Sequence, residues 1–160
     1  MLKITNAYKH FKDVDAIKDV SLTIEQHDVI TLIGPSGSGK STLLRLINGL
    51  EILDSGSITY QDQVIDYNDE AKLGLIRQEI GFVFQNFNLF NNLNVLDNLI
   101  LAPMQLLNMP KDEAIALAKD YLNQVGLVDK LEADVKTLSG GQKQRVAIVR
   151  SLMMSPKILL

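Results

Sequence analysis

Gly34-Pro-Ser-Gly-Ser-Gly-Lys-Ser-Thr42 fits Gly-x-x-x-x-Gly-Lys-Ser at every fixed position, and the elements flanking it set the architecture. Val29-Ile-Thr-Leu-Ile33, a β-branched apolar run, leads into it and predicts a buried strand. Lys40 to Ile47 leads out, with Leu43, Leu46, Ile47 and Leu50 at helical spacing. Strand, glycine-rich loop and helix make a phosphate cradle. Glycines let successive backbone N–H groups face one concavity, and the helix N-terminus adds positive potential. Gly34, Pro35, Ser36, Gly37, Ser38 and Gly39 form the candidate loop, and Lys40 reaches for the β- and γ-phosphates. The Ser41 hydroxyl is placed to ligate Mg²⁺, and Thr42 to bond a neighbouring phosphate. The bland alternative is a Gly/Ser-rich turn, which leaves the Lys-Ser pair and its flanking elements unexplained.

Composition bounds the remaining possibilities. The chain has 160 residues, 46% hydrophobic and 22% charged, with a formal net charge of −3. That is an ordinary globular composition, and the negative balance argues against a general nucleic-acid binder. No cysteine is present, which removes disulfide frameworks and thiolate metal sites. Met1-Leu-Lys lacks a signal-peptide pattern and no apolar run is long enough to cross a bilayer, so a soluble protein is expected, with any membrane role acting through a partner.

Taken in order, Leu2 to Thr5 and Val20 to Ile24 alternate apolar and polar residues, as half-buried antiparallel strands do. Tyr8-Lys-His-Phe11 reads as a turn carrying two aromatic rings, either of which could stack on a base, although spacing alone favours a core or edge aromatic. His10 and His27 have no partners at ligand spacing and are expected in solvent. Gly49 stands where a helix ends, Asp54 to Ser57 reads as a turn, and Ser57 to Tyr60 with Val64-Ile65 reads as a hairpin across Gln61-Asp-Gln63. Ile80 to Phe84 predicts a second buried strand with Gln85 at its C-terminal end, where ligand-facing groups of open α/β sheets sit. Gln85 could orient water or a metal, or be an ordinary loop residue. Asn86 to Asn92 is a polar loop with exposed Phe87 and Phe90, followed by a helix capped by Asn94. Pro103 is expected to kink or end that helix, and Pro110 to precede another that Gly126 stops. Leu138-Ser-Gly-Gly-Gln142 opens a further helix that stops at Ser155-Pro156; by itself it is a structural Gly-Gly helix start with the physics of an anion site.

The succession of these motifs resembles the ATP-binding subunits of ABC transporters over the whole chain. Gly34 to Thr42 matches their Walker A motif, Gln85 their Q-loop, and Leu138 to Gln142 their signature motif. The resemblance implies an α/β P-loop NTPase core with an N-terminal antiparallel β subdomain and a helical insertion. The expected division is 1–85 for the β subdomain and nucleotide core, 86–137 for the helical subdomain, and 138–160 for the signature helix and the start of the Walker B strand. It implies ATP and Mg²⁺ as ligands, Ser41 and Gln85 at the metal, and Lys40 and Gln85 as catalytic groups. Phe11 takes the place of the aromatic that stacks on adenine. Ser139, Gly140, Gly141 and Gln142 would face the γ-phosphate held by the other protomer of a head-to-tail dimer.

Within the family, Val83-Phe-Gln-Asn-Phe-Asn-Leu-Phe90 and Leu101-Ala-Pro-Met104 look most like the polar amino acid importers, and methionine importers share parts of them. This implies a peripheral subunit on the cytoplasmic face of the membrane that powers import through a permease and, indirectly, an extracytoplasmic solute-binding protein. Asp62 stands where a hairpin Gly is usual, and Val135-Lys-Thr137 lacks the usual Tyr-Pro, so local geometry is expected to differ at both places. Lys157-Ile-Leu-Leu160 resembles the start of the Walker B strand, ahead of the Asp and Glu that support Mg²⁺ and polarise water. An incomplete ATPase is therefore expected, inactive and aggregation-prone by itself, with Val29–Ile33 or Ile80–Phe84 open to water. Rival expectations are a nucleotide-binding fragment without turnover and a soluble ABC protein outside transport.

Overall fold

Alternating residues at the start of the chain become a long antiparallel pair: β1 (Leu2–Phe11) lies against β2 (Val14–Ile24), with Leu2 opposite Ile24 and Phe11 opposite Val14. The computed structural model describes residues 1–160 and divides into two compact units, Met1–Arg77 and Gln78–Leu160. In the first unit β1 also pairs with β3 (Ser55–Tyr60), and β3 with β4 (Gln63–Val64), giving a four-stranded sheet in the order β2-β1-β3-β4. Leu2, Ile4, Ala7 and Ile58 are buried on its inner face. The β3–β4 turn places Gln61 and Asp62 in the left-handed region, at φ 47° and 63°. Asn and Asp tolerate that region better than other side chains, so Asp62 closes the hairpin in place of a Gly.

Several expectations need correction here. Tyr8 to Phe11 is not a turn but the end of β1; the turn is Lys12-Asp13. Asp54 to Ser57 is not a turn either, because Ser55 already pairs with Tyr8. Val29 to Ile33 forms no strand, and Val29 and Ile33 are 95% and 91% exposed. A parallel strand is held only by neighbours in the sheet, and no strand of this chain pairs with residues 29–33.

Helix α1 (Lys40–Ile47) follows the loop with Leu43, Leu46 and Ile47 buried, while Leu50 falls beyond its end and is exposed. Its C-terminal carbonyls are not left to water. Tyr67 Oη donates to Leu46 O at 2.9 Å, and the Arg77 guanidinium donates to Asn48 O at 3.3 Å and Gly49 O at 2.7 Å. A cation there also suits the negative end of the helix dipole. Arg77 projects from α2 (Glu70–Glu79), a helix the sequence reading did not find, because Leu73 is its one buried residue and gives no apolar stripe.

The second unit opens with β5 (Ile80–Gly81), parallel to β6 (Ile158–Leu159), and Val83 N extends the pairing to Leu160 O at 2.8 Å. The predicted strand is thus shorter than Ile80–Phe84, with Ile80 fully buried. Helices α3 (Val95–Leu106), α4 (Lys111–Gln124) and α5 (Gly140–Leu152) enclose one core of Val95, Leu99, Ala114, Ala118, Leu122, Val146, Val149 and Met153. The signature helix therefore shares its core with the 86–137 stretch that the sequence reading set apart from it. Pro103 lies inside α3 without ending it. Gly126 stops α4 at φ +68°, and Asp134 caps the turn Val135–Thr137 by accepting from Lys136 N at 2.8 Å. No helix is long and apolar enough to cross a membrane.

Candidate functional site

Within the first unit the phosphate loop is seated on β2. Gly39 begins α1 at φ +87°, and a Cβ there would lie 2.2 Å from Ala16 O. Only glycine permits both that backbone angle and that approach. Gly37 is also left-handed, at φ +81°, but nothing lies within 4 Å of a Cβ built on it. The Lys40 ammonium is turned into the loop, donating to Gly34 O at 2.8 Å, Pro35 O at 2.7 Å and Ser38 Oγ at 3.1 Å. Ser36, Gly37, Ser38 and Ser41 are exposed around it, and Thr42 is half-buried.

Phe11 ends β1 and is 42% exposed; Tyr8, three residues earlier, is 38% exposed. The turn after Phe11 leads directly into Ala16, the residue beneath Gly39. Below Phe11 is an ionic cluster that sequence reasoning missed. Lys9 is 9% exposed, its Nζ lying 3.3 Å from Glu51 Oε1, 3.2 Å from Asp54 Oδ1 and 5.0 Å from the centre of the Phe11 ring. Burial pulls the Lys9 pKa down, but the hydrogen bonds and charges of Asp54 and Glu51 outweigh it and hold the ammonium above the ordinary lysine range. Asp54 is in turn depressed, first by the His10 backbone N–H that donates to it at 2.5 Å and then by Lys9. His10 is exposed as expected but not alone: its ring bonds Asp15 at 2.8 Å and the Lys12 carbonyl, which together raise its pKa. The sequence around Lys9 gave no sign of this cluster, because Glu51 and Asp54 are remote from it along the chain.

In the second unit Gln85 is exposed in the loop after β5, and Phe87 and Phe90 follow, half-buried and 49% exposed. Arg150 of α5 donates to Phe87 O at 3.0 Å and Asn88 O at 2.7 Å and lies 5.7 Å over the Phe90 ring. Burial lowers its pKa, and the carbonyls supply the partners a desolvated guanidinium requires. Phe87 and Asn88 both hold left-handed backbones, at φ 63° and 48°, so this clamp fixes an otherwise strained turn. The buried Asn98 amide closes the rest of the loop, accepting from Phe90 N at 2.8 Å and donating to Phe90 O, Leu93 O and Asn94 O.

Ser139 begins α5 with a full capping box, accepting from Gln142 N at 3.3 Å while Ser139 N donates to Gln142 Oε1 at 2.8 Å. Gly140 and Gly141 are exposed, and a Cβ on either would meet nothing within 4 Å. The fold itself does not require those two glycines.

Lys40, Ser41 and Phe11 belong to the first unit, and Gln85 and Ser139 to Gln142 to the second. No group of three or more His, Asp or Glu side chains gathers anywhere to cage a metal by itself. Within the first unit the exposed Ser41 hydroxyl is an oxygen donor beside the loop, of the kind Mg²⁺ takes when phosphate and water complete its shell.

A glycine-rich loop between β2 and α1, with its lysine turned inward, defines the class as an α/β P-loop fold. The ABC transporter family model matches residues 17–160, and the chain belongs to that family. Among curated proteins it is 47% identical over 161 residues to the glutamine transport ATP-binding protein of Geobacillus stearothermophilus. It is 45% identical over 161 residues to the glutamate transport ATP-binding protein of Corynebacterium glutamicum. Both alignments cover 100% of this chain and 66% of the relative, so the chain spans just under two thirds of their length. Among solved structures it matches the bacterial ABC transporter cassette MJ0796, solved as a dimer, with a TM-score of 0.93 and 35% identity over 99% of this chain and 72% of that one. The same cassette in a post-hydrolysis state with ADP and Pi matches equally well. The α/β P-loop class and the importer-like resemblance are thereby borne out.

Proposed function

We propose that the protein is the ATP-binding and ATP-hydrolysing subunit of an importer for a polar amino acid. The observation that carries this reading is the Lys40 ammonium drawn into the glycine loop by three oxygens. Phosphate oxygens are stronger acceptors than those carbonyls, so a nucleotide entering the loop takes over a cation already in place. Backbone N–H groups of the loop and the start of α1 bind the phosphates, and Ser41 holds Mg²⁺ against them. A metal held by Ser41 would neutralise charge on the bound phosphates. Phe11 stacks on the base, and Gln85 reports the γ-phosphate.

Two copies close head to tail, and Ser139, Gly140, Gly141 and Gln142 of one meet the phosphates held by the other; the open approach to Gly140 and Gly141 supports this. The exposed Phe90 and its neighbour Phe87 support docking on a permease at the cytoplasmic face, since apolar rings beside a polar loop are best covered by a partner. The glutamine and glutamate relatives support a polar amino acid as the transported solute.

The test is uptake by the full-length protein reconstituted with its permease. Lys40→Ala is expected to lower ATP affinity about tenfold to hundredfold, and uptake with it. Phe87→Ser with Phe90→Ser is expected to abolish uptake and keep ATP binding. Undiminished uptake in the double variant would remove the docking role, and unchanged ATP affinity in Lys40→Ala would remove the cradle.

A further inference from the structure

Lys9 is the most confined cation on the sheet that carries Phe11. Its ammonium is held by two carboxylates, Glu51 and Asp54, at 3.3 and 3.2 Å, and stands over one face of the Phe11 ring at 5.0 Å. Asp54 is itself fixed to β1 twice, its carboxylate by His10 N at 2.5 Å and its own N–H by Tyr8 O at 3.0 Å. The result is a stack anchored from below: carboxylates, ammonium, aromatic ring. With 42% of Phe11 still exposed, the ring has surface left for a further layer.

We propose that Lys9 is a positioning residue for the nucleotide base: clamped by Glu51 and Asp54, it fixes the Phe11 ring from one face and prepares the other to stack on a purine. This rests on the reading of Phe11 as the base-stacking residue. Two effects act together. A ring pinned by a cation loses little rotamer freedom on binding, because it is already held. A positive charge on one face also draws π-density from the other, which reduces repulsion towards an electron-rich purine face. Lys9 never touches the nucleotide. It acts through Phe11 alone, and so the phosphate end of the ligand is indifferent to it.

That indifference gives the test. Binding of ATP and of inorganic tripolyphosphate is measured by calorimetry on the full-length protein and on variants, and the ratio of the two affinities is read. Phe11→Ala is expected to lower the ATP-to-tripolyphosphate ratio by about tenfold or more. Lys9→Met keeps the length of the side chain and removes the charge; it is expected to lower the ratio about threefold to tenfold, with Lys9→Arg restoring most of it. If Lys9→Met does not fold, Glu51→Gln leaves the ammonium present and loosens the clamp, with a smaller loss of ratio expected. A lower melting temperature with an unchanged ratio in Lys9→Met or Glu51→Gln, while Phe11→Ala lowers it, would leave the cluster a structural tie and overturn the proposal. An unchanged ratio in Phe11→Ala would instead overturn the base-stacking reading, and this inference with it.

Discussion

Substituting Gly39 by Ala tests how the phosphate loop is seated. Two costs arise there. Any L-residue at φ +87° is left-handed, at about 1–2 kcal/mol. The new Cβ also lies 2.2 Å from Ala16 O, a backbone atom of β2 rather than the far end of a flexible side chain. Reaching an ordinary contact means moving α1 and the loop about 1 Å off β2, with an overpacking cost of about 1–3 kcal/mol. Gly37→Ala isolates the first cost, since its φ is +81° and its Cβ meets nothing within 4 Å. Gly37→Ala is expected to lower the melting temperature by about 3–5 °C, and Gly39→Ala by about 8–12 °C. Calorimetry should show the larger loss of ATP affinity in Gly39→Ala as well, because the displaced loop no longer presents its donors as a set. Equal melting temperatures and equal affinities for the two variants would refute the argument that the close approach to Ala16 sets the loop.

Two further substitutions probe other parts of the molecule. Asn98→Leu removes the amide that accepts from Phe90 N and donates to three carbonyls; Phe90 O and Asn94 O keep Leu93 N and Asn98 N as donors, while Phe90 N and Leu93 O lose this partner, and a loss of about 2–3 kcal/mol in urea unfolding is expected. His10 has a raised folded pKa, so its protonated ring contributes stability that is complete below the unfolded value of about 6.5 and disappears as pH rises through the folded one. His10→Gln should therefore flatten the stability profile on the alkaline side of pH 6.5, which melting curves across that range would detect.

The sequence discloses those parts of the fold that depend on neighbours along the chain. The turn into α1, the Asn94 cap, the Gly126 stop and the helix start at Ser139 are all local, and each is found where its residues predict. Val29 to Ile33 fails for the opposite reason: its β-branched composition speaks for a strand, but a strand exists only where another pairs with it. Lys9 with Glu51 and Asp54, and Arg150 with Phe87 and Asn88, escaped notice because each joins residues far apart in sequence through a single side chain. Helix α2 was hidden by its exposed, unstriped faces. Phe11 shows the same limit from another side, since spacing alone reads it as a core or edge aromatic and says nothing of the cation that lies over its ring.

The pairing of Ile80 with Ile158 has a consequence for the order in which the chain acquires structure during synthesis. The β1–β2 hairpin can close as soon as its second strand leaves the ribosome, and β3 adds to it soon after, all through short-range contacts. β5 is made well before β6 and cannot form this pair until Ile158 has emerged. Helices α3 and α4 can pack in the meantime through Leu99, Ala114 and Leu122, but they cannot supply the missing strand. The parallel pair is thus a late, non-local step, and a strand edge that waits for its partner can pair with other nascent chains. A ribosome pause downstream of β5 would lengthen that exposure, and slow codons there would be expected to lower the yield of soluble protein without any change in sequence.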